Sequence, residues 1–158
     1  MSSTGVHTSS ASILTDFKEI TKVRLAVSVV FSSVAGYFLG ADNIDFVTVF
    51  LLAIGGYFMV GASNAYNQVI ERNLDALMDR TKNRPIPDGR MSVSTAFLIA
   101  SVFTISGLIV LYIINPKTAM FGAVSIFIYV SVYSPLKTKS PLSVFVGAIS
   151  GAIPFKLG

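Results

Sequence analysis

Four side chains stand four residues apart in the first half of this chain: Asn67, Glu71, Asp75 and Asp79. On a helix that spacing keeps them on one stripe, and like charges so placed repel unless a cation lies between them. A hard divalent ion meets the need. Mg²⁺ takes oxygen ligands, keeps several waters, and is commonly held by one or two carboxylates together with phosphate oxygens of a substrate. The plainer alternative is a solvated charged face in which Arg72 and Arg80 offset the acids.

Directly after the stripe runs Arg80-Thr81-Lys82-Asn83-Arg84-Pro85-Ile86-Pro87-Asp88-Gly89-Arg90, four basic residues among turn formers. Proline at 85 makes it difficult for a helix to continue past Asn83, so the segment is expected to bend. A bent basic segment can fold back over the carboxylates and neutralise a diphosphate that metal alone leaves partly charged. Taken without the stripe, the same cations read as contacts to anionic lipid heads.

The elements that must position these groups are membrane helices. Hydrophobic residues make up 53% of the chain and charged ones 13%, with a mean hydropathy of +0.70. The apolar residues come in long blocks that would have to be hidden all round, which lipid does better than a small core. The blocks are Leu25–Ala41, Phe46–Ala65, Val93–Ile114, Ala119–Ser134 and the shorter Leu142–Phe155, so four or five spans are expected in an all-α, polytopic transmembrane bundle. Small residues inside them, Gly36, Gly40, Gly55, Gly56, Gly61, Gly107 and Gly122, read as close helix packing.

Ten of the twelve Lys and Arg residues flank the spans on one side, which the positive-inside rule makes cytoplasmic together with the N-terminus. Reporter fusions after Gly89 and Thr138 are therefore expected inside and one after Pro116 outside; the reverse pattern would overturn this orientation. The net charge of +4 and pI near 9.5 follow from these loops and do not indicate nucleic acid. Without cysteine there can be no disulfide, thiolate zinc site or thiol nucleophile. Residues 1–14, rich in Ser and Thr and free of Lys and Arg, read as a disordered tail, neither signal peptide nor organellar presequence, which points to a bacterial plasma membrane.

The strings Asn67-Gln68-Val69-Ile70-Glu71-Arg72-Asn73-Leu74-Asp75 and Arg80-Thr81-Lys82-Asn83-Arg84-Pro85 resemble the intramembrane aromatic prenyltransferases, and within them the haem O synthase branch, the protoheme IX farnesyltransferases. Asp16 to Arg24 resembles the entry to that family's first span, with Val23 where a proline is usual, and Tyr133-Ser134-Pro135-Leu136-Lys137 is similar to its Tyr-x-x-x-Lys element. The likeness runs from about Asp16 to Pro154, so that residues 15–158 form one prenyltransferase region. Glu71 replaces the family's usual Asp and preserves an oxygen ligand.

The resemblance implies a bundle of about nine spans with a cavity open to lipid and two facing acidic motifs. Asn67, Glu71 and Asp75 would form the first, binding farnesyl diphosphate through Mg²⁺, with Asp79 peripheral to the metal. Arg72, Lys82, Arg84, Tyr133 and Lys137 would neighbour the diphosphate, and haem B would be the acceptor whose vinyl group takes the farnesyl chain to give haem O. His7 lies in the expected tail, so haem is a substrate with no histidine ligand in the bundle. The second acidic motif does not occur in these 158 residues; the chain is thus expected to be a truncated part of the fold, inactive by itself. A quinone-pathway or other aromatic prenyltransferase, and a non-catalytic or transporter-like membrane fragment, are the alternatives. A transporter would carry its acids near mid-membrane, whereas these lie past the end of a span.

Overall fold

In the computed structural model, which describes residues 10–136 and Ala148, every regular element is helical. Apart from Ala148, the expected span Leu142–Phe155 lies outside the described residues, as do the basic residues Lys137, Lys139 and Lys156. Helices α2 (Val23–Gly40), α3 (Phe46–Leu77) and α4 (Val93–Ile114) are long and apolar enough to cross a bilayer. The protein is a multi-pass, all-α membrane protein.

The fourth expected span is helical but divided. Helix α5 (Pro116–Ile128) passes into a π-helical turn (Tyr129–Tyr133) and then a short α6 (Ser134–Leu136). Asn115 caps α5 through a bond from the Lys117 N–H at 2.8 Å, and Pro116 at its first position gives up no backbone bond.

Helix α3 has 32 residues, which at 1.5 Å per residue is longer than a hydrocarbon core of about 30 Å. Its last turns therefore stand clear of the apolar block, and these carry the acidic stripe. The helix stops at Leu77, within the limit that the proline sets and before Asp79, the last residue of the expected stripe. The Thr81 hydroxyl donates to the Asp75 carbonyl at 3.0 Å and so takes an acceptor that a continuing helix would need. Asp79 is consequently off the stripe.

Helix α1 (Ser10–Thr21) begins inside the stretch expected to be a disordered tail, so residues 10–14 are helical, while 1–9 are outside the described residues. It breaks from α2 at Lys22, whose φ of 48° lies in the left-handed region. That break strands the last carbonyls of α1. Two amides of α3 take them up: Asn64 Nδ2 donates to the Thr21 carbonyl at 3.3 Å, and Gln68 Nε2 to that of Ile20 at 3.2 Å.

Helix α3 is the centre of the bundle, packed on α1, α2, α4 and α5. One buried cluster joins Leu52, Met59, Ala62, Leu111, Ala119 and Ile126. A second, nearer the stripe, joins Ile20, Ala65, Ile86, Ala96 and Ala100, tying α1 and the loop after α3 to the α3–α4 seam. Alanines and glycines let the two helices approach closely, as interfaces in lipid require. Large side chains such as Phe31, Phe46, Phe50 and Ile113 remain on the outside, where apolar solvent suits them.

At the other end of α3, Asp45 is the N-cap, accepting from the Thr48 hydroxyl at 2.6 Å and the Thr48 N–H at 2.9 Å. These bonds hold its carboxyl below the usual carboxylate range. Their contribution is present above the unfolded-state pKa and is lost as pH falls through the folded one.

Candidate active site at the end of α3

Asn67, Glu71 and Asp75 share one face of α3, as their spacing requires, and all three are buried. Burying polar groups demands partners. Asn67 Nδ2 donates to Glu71 Oε2 at 2.9 Å, and its Oδ1 accepts from the Ser134 hydroxyl at 2.9 Å. This relay orients the Glu71 carboxylate through Asn67 from Ser134, 67 positions beyond Asn67 in sequence. The Ser134 hydroxyl also lies 3.1 Å from the Tyr129 carbonyl, an acceptor within the π turn, a kind of local distortion that often marks functional positions.

Asp75 has a cation on it. Arg84 Nη1 donates to Asp75 Oδ2 at 2.6 Å, with both side chains largely shielded. The loop that delivers Arg84 turns at Gly89, whose φ of 77° favours glycine, and is anchored by buried Pro85 and Ile86.

The structure therefore gathers Asn67, Glu71, Asp75 and Arg84. It leaves other expected residues apart. Arg72 is exposed and donates to the Val69 carbonyl of its own helix at 2.9 Å. Lys82 pairs with Asp79 at 2.8 Å on the surface, where Asp79 is almost wholly exposed. Lys137 and the Tyr133 side chain lie outside the described residues. Ser134 and Thr81 were missed because a lone hydroxyl carries no periodic signal. Asn64 and Gln68 were legible in principle, since amides four apart in an apolar span form a polar stripe beside the acidic one.

The sequence pattern of the UbiA prenyltransferase family matches residues 29–158. The chain belongs to the UbiA prenyltransferase family. A protein of Christiangramia forsetii named protoheme IX farnesyltransferase is 82% identical over 158 residues, covering all of this chain and 53% of that protein. Another of that name from Flavobacterium psychrophilum is 69% identical, covering 93% of this chain and 50% of its own. The chain thus spans about half the length of the curated relatives it matches. A solved structure of a UbiA homolog from Archaeoglobus fulgidus bound to DMAPP and Mg²⁺ superposes with a TM-score of 0.80 at 20% identity, over 90% of this chain and 52% of that one. One concerning digeranylgeranylglyceryl phosphate synthase superposes with a TM-score of 0.83 at 18% identity, over 91% and 51%. The fold is that of the UbiA family.

Among the described residues no three His, Cys, Asp or Glu side chains form a metal site by themselves. The carboxylate oxygens of Glu71 and Asp75 nevertheless fit Mg²⁺, which is commonly completed by waters and substrate phosphate oxygens, while the Asn67 amide orients Glu71. Arg84 pairs with Asp75 at Oδ2, so part of that carboxylate's charge is already balanced.

Proposed function

We propose that this chain forms one wall of a prenyltransferase that moves a farnesyl group from farnesyl diphosphate to a vinyl group of haem B, producing haem O, in the bacterial plasma membrane with its N-terminus cytoplasmic. The observation that carries the reading is the buried Asn67–Glu71–Asp75 stripe with Arg84 on it, in a chain 82% identical to a protein named protoheme IX farnesyltransferase. The buried stripe supports diphosphate chemistry, and the identity supports the acceptor.

Glu71 and Asp75 would hold Mg²⁺ together with diphosphate oxygens, and Asn67 would complete or orient that set. Bound there, the ion would neutralise the leaving diphosphate as its bond to the allylic carbon breaks. Arg84 uses part of its guanidinium fork on Asp75 and keeps further N–H donors for the departing oxygens. The relay from Ser134 through Asn67 holds Glu71 in place before substrate arrives, so less reorganisation remains for the reaction. The haem vinyl group attacks the cationic allylic carbon, water adds to the resulting cation, and a proton is released with diphosphate. Lys82 and Arg72, on the surface beside the site, would attract the anionic substrate. Tyr133 and Lys137 are proposed as further diphosphate contacts from the later loop.

The test joins this chain to the C-terminal part of the Christiangramia forsetii relative beyond the matched region, because the chain spans about half of that protein. The joined polypeptide, in lipid nanodiscs with farnesyl diphosphate, haem B and Mg²⁺, is expected to give hydroxyethylfarnesyl porphyrin, detected by mass. Prenylation of a phenolic acceptor such as 4-hydroxybenzoate in preference to haem B would overturn the acceptor. Absence of any Mg²⁺-dependent prenyl transfer would overturn the reaction.

A further inference from the structure

We propose that Arg90 is a positioning residue for the diphosphate site and that helix α1 takes part in the site through it; this rests on the reading of Arg84 as a diphosphate contact. The Arg90 guanidinium reaches four acceptors. Its Nη1 is ion-paired with Asp16 Oδ1, its Nη2 donates to the Asn83 carbonyl at 2.6 Å, and its Nε to Asp88 Oδ2 at 2.7 Å. Glu19 Oε2 lies 3.5 Å from Nη2. Asp16 and Glu19 belong to α1, and the Asp16 side chain is only 7% exposed, so this acid is committed to the clamp.

Asn83 immediately precedes Arg84, so Arg90 grips the peptide from which Arg84 departs toward Asp75. On the other side of Arg84, Pro85 is fully buried and Ile86 packs in one cluster with Ile20 of α1. The loop is therefore fastened to α1 both before and after Arg84. Gly89, at its positive φ, makes the turn that brings Arg90 back to Asn83. Only a planar fork serves acceptors in these separate directions; lysine, a point charge, can satisfy Asp16 but not the whole set. Helix α1 precedes residue 29, where the family match begins, so the clamp reaches outside the matched pattern.

The chain has no cysteine, so Asn83→Cys can carry a single nitroxide label in the full chain in nanodiscs. Arg90→Lys and Arg90→Gln are expected to narrow the label's spectrum, showing a freed loop, with helix content by circular dichroism unchanged. Arg90→Lys retains a charge for buried Asp16 and so guards against simple misfolding. In the joined polypeptide, Arg90→Lys is expected to raise KM for farnesyl diphosphate about tenfold and leave that for haem B unchanged. In an Arg84→Gln background the same change should add less than about twofold, because a residue acting through Arg84 has nothing left to position. An unchanged spectrum, equal rises in KM for both substrates, or effects of the two substitutions that multiply would each overturn the proposal. Absence of turnover in the unsubstituted protein would overturn the proposed function instead, and the spectrum would still decide the clamp.

Discussion

Asp75→Asn is expected to lower kcat/KM for farnesyl transfer about 100-fold or more in the joined polypeptide, a size typical of losing one charge-stabilising group at a reacting centre. The substitution keeps the shape and removes the charge. It would withdraw an anionic oxygen from the proposed metal site and leave the shielded Arg84 guanidinium without its carboxylate partner. The end of α3 should persist, because Thr81 bonds the Asp75 backbone carbonyl, which the substitution does not touch, but the unpaired guanidinium costs stability, so the folded fraction is measured by size-exclusion chromatography alongside the kinetics. Steady-state kinetics with a Mg²⁺ titration check this, and a shifted metal requirement should accompany the loss. Activity within about threefold of the unsubstituted protein would remove Asp75 from the site.

Gly107→Leu is expected to remove most of the folded protein. A Cβ at this position would sit 2.8 Å from Met59 Sδ and 3.1 Å from Phe58 Cβ, both on α3. The thioether can swing, but Phe58 Cβ is rooted in the backbone, so the helices themselves must part. Overpacking a well-filled core costs about 1–3 kcal/mol, and a leucine adds three more heavy atoms beyond that first clash. Separation at Gly107 would also loosen the Ala65–Ala96–Ala100 seam that supports the loop carrying Arg84. Gly40→Leu is the control, since nothing lies within 4 Å of a Cβ there. Thermal challenge followed by size-exclusion chromatography compares the two. Equal loss from both would show that α3 and α4 do not depend on close approach at Gly107.

The hydropathy blocks and the recurrent four-residue step together located the membrane helices and the helix end that carries the buried polar stripe. Both are local quantities. Helix length follows from how many apolar residues the bilayer must accept, and a shared face follows from 3.6 residues per turn. The Val93–Ile114 block coincides with α4, and Phe46–Ala65 is the apolar part of α3, which continues beyond it because the bilayer limits the apolar stretch and not the helix. The stop at Leu77 was not legible, since the proline sets only an outer limit at Asn83 and the hydroxyl bond from Thr81 that accompanies the earlier stop is a tertiary detail.

What the sequence by itself determined, then, is the membrane class, the stripe of Asn67, Glu71 and Asp75, and a family likeness carried by short strings, because each depends on residues within one helix or one loop. The tertiary structure alone decided what faces that stripe. Arg72 and Arg84 are equivalent as nearby cations in sequence, yet packing leaves Arg72 on the surface and folds Arg84 onto Asp75. Ser134 meets Asn67, and Arg90 meets Asp16, only because α1, α3 and the segment after α5 are brought to the same end of the bundle. Periodicity fixes which side chains share a face; burial and the need to pair every buried polar group choose their partners, and that choice is made among residues far apart in the chain.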